Sequence, residues 1–154
     1  MSKHITISPA EAADRLAIRE LVEAYAYCAD RRDAEGQMAL FTADTHFVVF
    51  MNAKDPTPAM DLHTRQDLAP VFAALNQYEA TTHFIGQSTI LSLTGDTATG
   101  VAYCLAHHVT VADGKRRLMI ASIRYHDSFV KADGVWLFSE RQLLVDWVDE
   151  RPLA

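Results

Sequence analysis

Apolar residues Leu16, Ile18, Leu21, Val22, Tyr25 and Cys28 recur at mostly three- and four-residue steps, while Arg15, Arg19, Glu20 and Glu23 occupy much of the remaining surface. This period belongs to a helix with one buried face and predicts a helix over about 9–29. Ser8-Pro9-Ala10-Glu11 supplies its start, with Ser8 as N-cap, Pro9 at the first helical position and Glu11 three residues after the cap. A second, shorter helical stretch is predicted over about 34–41, ending before Thr42-Ala43-Asp44. The run at 45–51 is rich in β-formers and reads as the first strand. Lys54-Asp55-Pro56-Thr57-Pro58 is a loop by its prolines, and Leu68, Val71, Phe72 and Leu75 then return to helical spacing over about 65–78. Pro70 falls in the first turn or two of that helix, where a missing N–H is tolerated.

Beyond Thr81 the texture changes to long β-rich runs at about 82–93, 97–111, 116–130 and 135–148. They are broken by Thr94-Gly95-Asp96, Ala112-Asp113-Gly114 and Ala132-Asp133-Gly134. These are turn signals, so consecutive strands are expected to pair as antiparallel hairpins. Three helices followed by a four-stranded meander, with one strand inserted before the third helix, make an α+β domain whose curved sheet wraps its helices. No repeat, linker or low-complexity segment divides the chain, so residues 1–154 are expected to form one domain.

Composition narrows the function classes. The 154 residues carry 14 Lys+Arg against 20 Asp+Glu, a net charge of -6, with 49% hydrophobic residues. A chain of this length buries roughly 70% of its unfolded surface and needs no disulfide or metal staple. The acidic balance argues against nucleic acid as a partner, because phosphate binding requires clustered Lys and Arg. The basic run Lys115-Arg116-Arg117 follows Asp113-Gly114 and reads as the solvated shoulder of a hairpin. Cys28 and Cys104 sit in apolar contexts without metal or redox spacing and are expected to be reduced core thiols. Residues 1–10 lack a basic segment followed by an apolar stretch, and no window is apolar enough to span a bilayer. We therefore expect a cytoplasmic protein with no membrane partner.

Two residues stand out chemically. Asp30 closes the first helix just before Arg31-Arg32-Asp33, and His83 opens a strand in Thr81-Thr82-His83-Phe84. A solvated carboxylate paired with one of the arginines, and a strand histidine satisfied in the core, are the competing readings.

The order and spacing of Ala13-Asp14-Arg15-Leu16-Ala17-Ile18-Arg19-Glu20-Leu21, Cys28-Ala29-Asp30-Arg31-Arg32-Asp33, Thr82-His83, Arg124-Tyr125-His126-Asp127 and Asp133-Gly134-Val135-Trp136-Leu137-Phe138-Ser139-Glu140-Arg141 resemble the SnoaL-like branch of the NTF2-like superfamily. The resemblance covers nearly the whole chain. It implies an α+β cone: three N-terminal helices packed in a strongly curved, mainly antiparallel sheet. Within the superfamily the chain looks most like the scytalone dehydratase and hexachlorocyclohexane dehydrochlorinase lyases. These use a histidine base oriented by an aspartate of the first helix, positions that Asp30 and His83 match. A carboxylate on one ring nitrogen fixes the tautomer and stabilises the imidazolium formed when the other nitrogen takes a proton.

The same resemblance points Cys104 and Ala106 into the cavity. Strand alternation then turns His108 inward and His107 outward, against an exposed strand end as the competing reading. It also directs Ser122 and Arg124, and Glu140, Gln142 and Leu144, into the cavity. Arg124 would there steady a developing oxyanion, or else merely form a salt bridge with Glu140. Tyr25 and Tyr27 of the first helix complete the expected substrate-binding set. Phe47 and Phe50 stand where a second tyrosine of the dehydratase would be sought. Glu140, at the position matched to a cationic side chain of the dehydrochlorinase, disfavours a leaving halide.

The expected activity is thus that of a cofactor-independent lyase, isomerase or cyclase acting on a small hydrophobic carbonyl or hydroxy compound. No metal is assigned, since no His pair shows helical i, i+4 spacing or a carboxylate-flanked triad, and no glycine-rich phosphate loop is present. The alternatives are a non-catalytic subunit like the small subunit of aromatic-ring dioxygenases, and a hydrophobic-ligand-binding module. Cones of this kind often pair through the outer sheet face, so a homodimer or higher homo-oligomer is expected, with 143–148 contributing.

Overall fold

A computed structural model describes residues 6–154; the first half of the 1–10 segment, expected to carry no leader, lies outside the described residues. Helix α1 (Pro9–Asp30) buries Ile18, Leu21, Val22, Tyr25, Ala26 and Ala29, the face its periodicity predicts. Leu16 departs from that pattern and is 61% exposed. Pro9 occupies the first turn, but the Ser8 side chain does not cap it; the Ser8 carbonyl accepts the Glu11 and Ala12 N–H groups instead. Helix α2 (Ala34–Met38) is capped by the Asp33 carboxylate and stops earlier than its pattern implies. Phe41 belongs to strand β1 (Phe41–Phe50), where it is fully buried beside Phe138. Burial in the sheet overrides the helical reading of its neighbours.

Strand β2 (Met60–Leu62) is too short and too exposed to leave an alternating pattern, and it was not expected. The third helical stretch is a 3₁₀ turn (Gln66–Leu68), helix α3 (Ala69–Ala73) and a second 3₁₀ turn (Ala74–Gln77). Strands β3 (Ala80–Thr94), β4 (Thr97–Ala112), β5 (Lys115–Ala132) and β6 (Val135–Leu153) form the expected antiparallel meander. Two of its turns place Asp113 and Gly114, and Asp133 and Gly134, all at positive φ, the backbone that two-residue Asp-Gly hairpins require.

The sheet order is β2-β1-β6-β5-β4-β3, with β1 running parallel to β6. The sheet is strongly curved, not closed, and the three helices pack against it: the α+β cone. Its interior is filled. Tyr25, Phe41, Phe47, Phe72, Tyr125, Phe129 and Phe138 form one aromatic cluster with mainly edge-on and tilted contacts. At its centre Arg141, with no exposed surface, donates from Nε and Nη2 to the two Asp127 oxygens, both at 2.8 Å. Its guanidinium carbon lies 4.2 Å from the Tyr25 ring centroid, 3.9 Å from that of Tyr125 and 4.1 Å from that of Phe138.

Both cysteines are free; Cys104 is buried and Cys28 only partly so. The basic run at the β4–β5 turn is exposed, with Arg116 reaching Glu79 at 2.9 Å. Among the described residues no helix is long and apolar enough to cross a membrane.

Candidate functional site

Asp30 is the last residue of α1, and the chain reverses immediately through Arg32 at φ 63°. The reversal sets the helix end against the start of β3. Asp30 is gripped there on three sides. Its Oδ1 accepts the Thr81 hydroxyl at 2.9 Å and lies 2.7 Å from His83 Nδ1, while Oδ2 accepts the His83 backbone N–H at 2.9 Å. Arg32 Nη1 donates to Thr81 Oγ1 at 2.7 Å and to the Ala29 carbonyl at 3.1 Å, so the hydroxyl that orients Asp30 is itself held.

Partial burial pushes the Asp30 pKa up, but hydrogen bonds from the His83 ring, the His83 N–H and Thr81 outweigh it and hold the carboxyl below its ordinary value. An ionised Asp30 accepts the Nδ1 proton and leaves the basic lone pair of neutral His83 on Nε2. Nε2 has no hydrogen-bond partner among the described residues.

His108 faces inward and His107 outward, as alternation along β4 requires. The His108 ring stands edge-on to His83 with centroids 5.5 Å apart and packs 4.6 Å from Tyr78. Burial, followed by the nearby His83, pushes its pKa down to about 4, so it is a neutral imidazole at pH 7. Its Nδ1 is buried with no partner among the described residues.

The pair opens onto a groove of about 360 Å³ between α1 and β3, lined by Glu23, Ala26, Tyr27, Asp30, His83, Phe84 and Ile85. Only 8% of the His83 side chain is exposed. Tyr27 and Phe84, at 63% and 65% exposure, form the rim. This volume suits a small molecule.

Three expected site residues lie elsewhere. Tyr25 is 5% exposed, packed in the core against Arg141, and burial raises its pKa to about 12. Arg124 alternates with the buried Ile123 and Tyr125, so it projects from the opposite face and donates to Asp146, not Glu140, at 2.7 Å. Glu140 is turned outward by a bulge: Ser128 pairs with Glu140 but Phe129 with Phe138, so Ser139 is an extra residue that reverses the alternation. Arg141 takes the inward position in its place, which removes the argument against a leaving halide that rested on Glu140. Gln142 donates to Glu140 at 2.7 Å on that outer side, with Leu144 farther along the same face.

Thr81, Arg32 and Tyr78 were missed by the sequence reading. Thr81 lies two residues before His83 and so shares its strand face, which was the available signal. Among the described residues, side chains able to hold a metal converge away from this groove, at His46, Asp61 and His63.

The model of the SnoaL-like domain matches residues 10–142. No curated protein matches the chain. A Novosphingobium aromaticivorans protein assigned as a scytalone dehydratase superposes with a TM-score of 0.79 at 19% identity, covering 96% of this chain and 94% of that chain. A protein from the same organism, assigned as the beta subunit of an aromatic-ring-hydroxylating dioxygenase, gives a TM-score of 0.74 at 25% identity, covering 90% and 92%. A hexachlorocyclohexane dehydrochlorinase gives 0.68 at 21% identity, covering 92% and 90%.

Proposed function

The chain belongs to the SnoaL-like domain family, and we propose that it is a cofactor-independent lyase or isomerase in which His83 removes a proton from a small hydrophobic carbonyl or hydroxy compound. The observation that carries this reading is the double grip of Asp30 on the Nδ1 and backbone N–H of His83, beside an open groove. Substrate enters over Tyr27 and Phe84, with the carbon next to its activating oxygen set against Nε2. As Nε2 takes the proton, charge appears on the imidazole and Asp30 stabilises it. The substrate oxygen gains negative charge at the same moment. Neutral His108, whose ring stands 5.5 Å from His83, is the donor assigned to it in this reading, because Arg124 lies on the far side of the sheet. Two of the similar structures bear the names of lyases, which agrees in kind with proton removal as the first step.

The test needs no knowledge of the product. A panel of small hydroxy-carbonyl and aromatic ketone compounds is incubated with the protein in D2O, and loss of the C–H signal is followed by NMR. Exchange catalysed by the native chain and abolished in His83→Ala is the expected result; equal exchange in both rejects the general-base role.

A structural role in an assembly is the second reading. It is favoured by the exposed apolar residues Phe84, Tyr103, Leu105 and Trp147 on the outer face of β3, β4 and β6 and by the likeness to the protein assigned as a dioxygenase beta subunit. Such a surface suits a homo-oligomer contact. Light scattering at micromolar concentration should find a dimer or larger, and a clean monomer contradicts it.

A further inference from the structure

At the β2 edge of the sheet, three metal-ligand groups converge that no helical spacing announces. His46 comes from β1, Asp61 from β2 and His63 from the residue after β2's end. His46 Nε2 lies 2.8 Å, and His63 Nε2 3.1 Å, from the same oxygen, Asp61 Oδ1. The two rings are stacked, with centroids 4.7 Å apart and planes within 10°. Two imidazole nitrogens thus lie within 3.1 Å of one carboxylate oxygen, that of His46 in hydrogen-bonding geometry, with all three donor atoms within 4.8 Å of one another.

We infer that His46, Asp61 and His63 form a binding site for a divalent transition-metal ion of the zinc type. Metal–nitrogen and metal–oxygen bonds of about 2.0–2.2 Å in tetrahedral geometry place neighbouring donor atoms about 3.3 Å apart. The two imidazole–carboxylate separations, 2.8 and 3.1 Å, need to widen by about half an ångström or less. Two of the three ligands stand on hydrogen-bonded strands, since Asp61 pairs with Val48 in the β1–β2 ladder, two residues beyond His46. Their backbones are therefore positioned before any ion arrives. The donor set, two imidazoles and one carboxylate without thiolate, suits Zn²⁺, Co²⁺ or Ni²⁺ and not the all-oxygen preference of Mg²⁺ or Ca²⁺.

A second group supports the assignment. Glu140 Oε2 lies 3.7 Å from His46 Nδ1, the nitrogen on the other side of the ring from Asp61. At that distance Glu140 is beyond hydrogen-bond reach, and without an ion the closer Asp61 takes the Nε2 proton; an ion on Nε2 would move that proton to Nδ1, where Glu140 is the nearby carboxylate. The outward turn of Glu140 at the Ser139 bulge, which removes it from the groove, is what brings it to His46. The half-exposed ligands leave the remaining coordination positions to water or to an external ligand.

The experiment is calorimetric titration of the untagged full chain with ZnCl2, paralleled by the visible d–d absorption of Co²⁺. The expected result is one equivalent of Zn²⁺, with His63→Ala and Asp61→Asn each weakening it by at least about 10-fold and Glu140→Gln by a similar or smaller factor. His63 is the most exposed ligand, so its removal leaves the fold intact, checked by circular dichroism. His83→Ala is the control for the other His–carboxylate site and should bind Zn²⁺ as the native chain does. Absence of saturable binding overturns the proposal. So does binding that survives both ligand substitutions or is lost in His83→Ala.

Discussion

The two edges of the sheet carry the same chemical pair, an imidazole against an aspartate, and use it differently. At the β3 edge, His83 is 2.7 Å from Asp30 and its side chain is 8% exposed; at the β2 edge, His46 is 2.8 Å from Asp61 and 38% exposed. Distance does not separate them. What differs is what else holds the carboxylate. Asp30 has further donors in a backbone N–H and a threonine hydroxyl, so it is a fixed, ionised acceptor for one ring. Asp61 is held by two histidines and solvent, so its partners are free to reorganise around an ion. A desolvated, over-determined pair suits proton transfer, while an exposed, convergent one suits coordination.

Substitutions sharpen or break this contrast. The largest expected effect is that of His83→Ala, a loss of about 10²–10⁴ in C–H exchange, with a stability cost of about 1–3 kcal/mol from the lost hydrogen bond to Asp30; a loss of a few-fold would place the two pairs on equal footing. Next comes the pH dependence conferred by His108. Because burial lowers its folded pKa from 6.5 to about 4, the unfolded chain protonates first. Stability is then full above pH 6.5, falls as pH drops towards 4 and levels off below, a change of roughly 3 kcal/mol at about 1.36 kcal/mol per pKa unit. Asp30, Arg32, His83 and Tyr78 are the neighbours that shape this profile. Urea titrations of His108→Phe should flatten it, and an unchanged slope would show that other groups cause it.

Asp30→Asn should reduce exchange by about 10–10³-fold, since the imidazolium loses its counter-charge. It should also change the acid limb. The Asp30 pKa is lowered in the folded state, so its stabilisation is present above the ordinary carboxylate value of 3.8 and is lost as pH falls through the folded value. Denaturation curves below pH 4 should be shallower in the variant. Thr81→Val removes one bond to Asp30 and frees Arg32, for a cost of about 1 kcal/mol and a few-fold loss of rate; a silent variant would mean that His83 alone orients Asp30. The smallest effect belongs to the other edge: without metal, His63→Ala should alter stability by less than about 0.5 kcal/mol. A larger cost would show that the β2 pair is as tightly built as the β3 pair.

Much of this arrangement was legible in the chain. The period of α1 and the Asp-Gly turns follow from local rules; the resemblance set the face of β4 from which alternation turned His108 inward, and it brought Asp30 and His83 together, as their 2.7 Å contact bears out. The errors have physical sources. The bulged Ser139 shifts parity where neither glycine nor proline marks it, so Glu140 and Arg141 exchange faces. Arg124 was directed inward although Tyr125 beside it carries the buried face. His46, Asp61 and His63 were invisible as a group because β2 is three residues long and carries no periodicity, and only its pairing with β1 brings them together.

The buried Arg141 also constrains how this sequence can drift. Burial opposes charge on both partners, and the Asp127 carboxylate holds the Arg141 proton more firmly than usual. Losing either partner strands the other charge at a cost of about 3–5 kcal/mol, a large fraction of a domain's stability, whereas replacing both with apolar residues is close to neutral. A lineage that starts from this filled cone therefore reaches a hollow one only by changing two positions together, 14 residues apart on adjacent strands. Change at the groove is thereby channelled to the rim, where Tyr27 and Phe84 can vary one at a time.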